Sequence, residues 1–212
     1  MKSAHPGFIS ACSNSSMPPA GPERNARLTA LTGTVLLVLL AIEGVTLLSL
    51  RAMLSWHIFV GVLVVPVVLL KLGSTGYKFY RYYTGRPDYV RAGPPQLLLR
   101  LLGPVVIVST VVLLGTGVAL IWVGPRGGVT LLLHKASFVV WLGALGIHVL
   151  GHLRRVPESV GPDLVARDGV GGSRLRLLLI AAAVVVGAVA AVIVLPHGAA
   201  WVHSFGHGGG DG

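Results

Sequence analysis

Residues 53–74, MLSWHIFVGVLVVPVVLLKLGS, and residues 130–152, TLLLHKASFVVWLGALGIHVLGH, are two stretches of one kind. Each is close to the ~20 apolar residues that cross the hydrocarbon of a bilayer. Each also carries two nitrogen-bearing side chains fourteen positions apart, His57 and Lys71 in the first, His134 and His148 in the second. Further apolar runs of similar length lie at 29–50, 97–122 and 176–195. The expected fold is an all-α integral membrane protein with five transmembrane helices. Four of them form a bundle over residues 28–153, and an accessory fifth helix covers 176–196.

Composition agrees. Of 212 residues 53% are apolar and 11% charged, and mean hydropathy is +0.79, far from the quarter-charged make-up of a soluble domain. Five spans leave too little chain for a large water-facing enzyme domain. The net charge of +10 does not point to nucleic acid, because the 17 Lys and Arg sit between and beside the apolar runs rather than on one polar face. The lone cysteine, Cys12, excludes an intrachain disulfide, a CxxC pair and an iron–sulfur cluster held by this chain alone.

The remaining segments read as connections and tails. Residues 1–27 are rich in Pro, Ser and Gly and are expected to form a disordered tail. Residues 154–175 form a loop, and 197–212, HGAAWVHSFGHGGGDG, a solvated His- and Gly-rich tail. Lys and Arg collect in the N-terminal tail, in the connection near 78–91 and around 154–176, which predicts an N-terminus inside and a C-terminus outside. All five tyrosines lie in the inner connection TGYKFYRYYTGRPDY (75–89), as an interfacial aromatic belt requires.

Ionisable residues at bilayer depth are functional candidates by default. Fourteen residues span about 21 Å of helix and return to within about 40° of the same face. The second and fourth spans run in the same direction. They therefore set His57 level with His134 toward the outside, and Lys71 level with His148 toward the inside. Two imidazoles at one depth suit both axial positions of a low-spin haem b iron. At the inner level Lys71 is either an unusual ligand or a cation that snorkels and pairs with a propionate. His152, one turn beyond His148, is placed to hydrogen-bond a propionate or to ligate in its stead. Gly103 and Gly117, again fourteen apart on the third span, offer the clearance a macrocycle needs. Glu43 is a proton acceptor for quinol oxidation or a partner for Lys135 or Arg51.

The paired intervals and the spaced glycines resemble the four-helix haem core of cytochromes b, of the cytochrome b561 type and of the membrane subunits of formate dehydrogenase and hydrogenase. The segments KLGSTGYKFYRYYTGRPDYVRAGPP and LLHKASFVVWLGALGIHVLGH resemble a family of small actinobacterial membrane proteins. This resemblance covers about residues 30–153. It implies that His57 and His134 ligate an outer haem and that His148 is one ligand of an inner one, with Lys71 standing where a cytochrome b has histidine. It further implies a bacterial plasma membrane, electron transfer from a quinol or a redox partner subunit, and a role as the electron-transfer part of an oxidoreductase. The rival expectations are a proton-coupled transporter and a cofactor-free anchor or assembly subunit.

Overall fold

The computed structural model describes residues 20–91, 97–152 and 172–207. Among these the chain is helical and contains no strand: α1 (Ala20–Leu48), α2 (Leu50–Tyr83), α3 (Pro87–Arg91), α4 (Leu97–Val123), α5 (Gly128–His152), α6 (Ser173–Val194) and α7 (Ala199–His207). Short 3₁₀ turns, Gly124–Arg126 and Leu195–Gly198, link α4 to α5 and α6 to α7. Five stretches are long and apolar enough to cross a membrane, Gly21–Leu48, Leu50–Tyr83, Leu101–Arg126, Gly128–Leu150 and Ser173–Ser204. The chain is an all-α, multi-pass membrane protein.

Several boundaries differ from the sequence expectation, among them the start of α6 at Ser173, inside the expected loop 154–175. α1 begins at Ala20, so residues 20–27 of the expected tail are helical. At the other end, residues 199–207 of the expected solvated tail form α7, whose Trp201 is buried and donates its indole N–H to the Leu120 carbonyl at 2.7 Å. A buried indole needs such an acceptor. Residues 154–171 lie outside the described residues.

Antiparallel hairpins organise the molecule. α1 packs on α2 across the turn at Ser49, and α4 packs on α5 across the turn at Gly124–Arg126. Both turns lie at one end of the bundle, where Trp201 packs with Leu50, Leu54, Leu120 and Leu131. α6 lies along α2, with Ile180 against Leu31 and Ala191 against Val62 and Leu63. Gly187 makes this possible: a Cβ there would collide with the Leu63 carbonyl, so the two backbones meet directly, as small residues permit between membrane helices. Outward faces are apolar and open, with Leu132, Val139 and Leu150 of α5 each at least 66% exposed. That exposure costs nothing in lipid, which is as apolar as the side chains.

At the far end α2 runs beyond bilayer depth to Tyr83, so part of the tyrosine-rich connection is helix. Tyr80 and Tyr83 face outward, whereas Tyr89 of α3 is buried against Tyr77 with ring centroids 6.1 Å apart. The Arg81 guanidinium lies 5.5 Å from the Tyr77 ring centre and 5.8 Å from that of Tyr89, within cation–π reach of both. Burial, then the neighbouring Tyr77, push the Tyr89 phenol above its ordinary 10, with Arg81 opposing. A raised phenol pKa favours the neutral form in the fold. Its contribution is therefore complete below about pH 10 and is lost as pH climbs through the raised value. Tyr89→Phe is accordingly expected to flatten the fall in thermal stability above about pH 10, measured by melting in detergent across that range.

Candidate functional site

The hairpins hold a cavity of about 1430 Å³ between them. It extends from Trp201 at the turn end, past His57 and His134, to Lys71 and His148, and on to Tyr83 and Tyr89. Protein interiors pack as tightly as organic crystals, with few voids larger than a water molecule. Ligand pockets measure roughly 300–1,000 Å³. The volume between these helices therefore exceeds a single small-ligand pocket.

His57 of α2 and His134 of α5 face each other across this space. Their ring centroids are 6.4 Å apart and their planes 80° apart. The equal level expected from the fourteen-residue intervals is thus the level observed. Each imidazole is also held from its own hairpin. His57 Nδ1 lies 2.8 Å from Glu43 Oε1 and 3.2 Å from the Thr46 hydroxyl oxygen of α1. His134 Nδ1 lies 3.1 Å from the Leu113 carbonyl oxygen and 3.3 Å from the Thr116 hydroxyl oxygen of α4. Thr46 and Thr116 direct their own protons to backbone carbonyls, Glu43 at 2.6 Å and Val112 at 2.6 Å. A carbonyl or an ionised carboxylate can only accept, so these contacts place a proton on Nδ1 in both rings, and in the neutral form of each ring Nε2 then holds the lone pair.

The hairpin turns explain this pairing. Glu43 and His57 sit symmetrically about residue 50, and Thr116 and His134 symmetrically about residue 125. The same register brings Thr29 opposite Lys71 and Thr110 opposite Trp141, whose indole donates to the threonine hydroxyl at 3.0 Å. Counting outward from each turn is the signal that finds Glu43, Thr46 and Thr116. Charge matching is not: Arg51 and Lys135, the partners expected for Glu43, are both exposed, and the carboxylate is bound to His57 instead.

At the second level Lys71 and His148 both line the cavity. The Lys71 amine donates to the Thr29 carbonyl at 2.5 Å and lies against Gly33 of α1, where a Cβ would come within 2.9 Å of Nζ. It is therefore engaged by its own hairpin. Beside it, Asn25 Nδ2 donates to the Ser74 carbonyl at 2.9 Å, tying the two helices at that end. The His152 side chain lies outside the described residues.

Gly103 and Gly117 both line the cavity, with different consequences. Around Gly103 no atom lies within 4 Å of where a Cβ would stand. Gly117 instead makes room for the His134 imidazole, because a Cβ there would lie 3.1 Å from His134 Cε1. Neither His197 nor His203 joins the cavity; the His197 ring lies 4.4 Å from that of Trp122 at the turn end. No protein-family model, curated protein or solved structure matches the chain.

Proposed function

We propose that the chain is a membrane b-type cytochrome, carrying electrons between a quinol or redox partner and the opposite side of a bacterial plasma membrane. The observation that supports it most is the separation of the His57 and His134 rings, 6.4 Å, inside a cavity. His57 and His134 would hold a haem iron there through the Nε2 atoms that their Nδ1 hydrogen bonds leave free.

Haem b, when bound, supplies a one-electron iron couple whose potential the protein sets through axial ligands, burial and hydrogen bonds. The chain's residues perform the rest. His57 and His134 offer neutral nitrogen donors. Glu43, Leu113 and Thr116 fix the tautomer and ring orientation, the support that metal-bound histidines commonly receive. The apolar walls of α1, α2, α4 and α5 exclude water, which lowers the local dielectric and disfavours charge entering uncompensated. Gly103 leaves the flat space a macrocycle requires. At the inner level, His148 is the nitrogen donor for a second haem. Lys71 is its candidate partner there, as ligand or as cation for a propionate, and His152 is a propionate donor or an alternative to His148. A quinone is a further candidate occupant of the same cavity. The charge distribution supports an N-terminus in the cytoplasm and a C-terminus outside.

Protein purified in detergent from cells supplied with haem is expected to give a b-type reduced-minus-oxidised spectrum, with one haem per chain or two. Preparations that remain free of haem although folded, helical and monodisperse would overturn the reading.

A further inference from the structure

The two imidazoles are held unequally. His134 meets neutral acceptors, a carbonyl and a hydroxyl, whereas His57 meets a carboxylate at 2.8 Å. No Lys or Arg among the described residues is paired with Glu43. Among the described residues the other carboxylates, Glu23 and Asp88, are paired with Arg27 and Arg91, at 2.9 and 3.2 Å. No donor among the described residues meets the buried Glu43 Oε2, and the hydrogen bond of the carboxylate to His57 runs through Oε1. That Oε1 would stand 3.5 Å from a Cβ at Gly61, so the absence of a side chain there lets the carboxylate lie close to α2 one turn from His57.

We propose that Glu43 is a positioning residue that sets the potential of the outer site by acting through His57, an inference that rests on His57 and His134 holding haem. A carboxylate acceptor draws the Nδ1 proton toward itself and makes Nε2 a stronger electron donor than a carbonyl acceptor does. A stronger donor and an adjacent negative charge at low dielectric both stabilise the oxidised metal over the reduced one. The outer site is therefore poised low by one ligand, and α1 takes part in redox tuning although it supplies no ligand.

Glu43→Gln separates charge from shape. The amide oxygen still accepts from Nδ1, and Thr46 still offers its oxygen at 3.2 Å, so the tautomer and the haem are retained. The expected result is unchanged haem content with a midpoint potential raised by at least tenfold in the one-electron equilibrium, about 59 mV. The low-spin electron paramagnetic resonance signal is expected to shift with it. Thr116→Val, which leaves the Leu113 carbonyl on His134, is expected to move the potential less than half as far. Haem content and potential both unchanged in Glu43→Gln would overturn the inference while leaving the cytochrome reading intact. Wild-type protein without haem would overturn that reading instead. If Glu43→Gln loses haem, the potential of Glu43→Asp decides: a positive shift supports the role, and an unchanged value overturns it.

Discussion

Replacing His134 with alanine is expected to abolish the b-type spectrum of the outer site: all of the haem absorbance if the chain holds one haem, half if it holds two. Removing a hydrogen bond that merely supports a metal ligand costs roughly 10–100-fold in affinity, and removing the ligand itself costs more. The fold should tolerate the change. His134 faces the cavity rather than a packed core, and its partners, Leu113 and Thr116, lie in a helix whose backbone bonds do not depend on it. Far-ultraviolet circular dichroism is therefore expected to match wild type while the absorbance vanishes. Retention of the full spectrum would remove His134 from the ligand set.

The other large effect is structural. Gly187→Ala is expected to destabilise the protein by about 2–3 kcal/mol, the upper part of the roughly 1–3 kcal/mol usual for forcing an added group into a packed contact. Its diagnostic value lies in its sign. In a helix interior the same change ordinarily stabilises by roughly 0.5–1 kcal/mol, because alanine loses less backbone freedom. Here the new methyl meets the Leu63 backbone carbonyl, which cannot rotate aside as a side chain can. α6 has to lift from α2, loosening the contacts of Ala191 with Val62 and Leu63. Denaturant or thermal unfolding in detergent measures the difference, and a more stable variant would show that α6 does not seat on α2 in this way.

Much of this was legible in the sequence. Spans announce themselves because hydrocarbon demands about twenty apolar residues, whatever their order. The level of His57 with His134 was legible too, because both intervals lie on co-directional helices. What composition hides is which neighbour satisfies a polar group. Glu43 was expected to be a proton acceptor or to pair with Arg51 or Lys135, but both cations are exposed, and the tight turn at Ser49 delivers an imidazole to the carboxylate instead. Lys71 was weighed as a ligand or a snorkelling cation, and its amine is taken by a backbone carbonyl of α1, an acceptor that no side-chain pattern reveals. α7 was hidden in a Gly- and His-rich ending because one buried indole, Trp201, has no periodicity to betray it.

The space between the hairpins also governs how the molecule responds to compression. Hydrostatic pressure favours whichever state has less internal void, in proportion to the emptiness that unfolding eliminates. A bundle with some 1430 Å³ between its helices is therefore expected to unfold at lower pressure than a close-packed one of the same length.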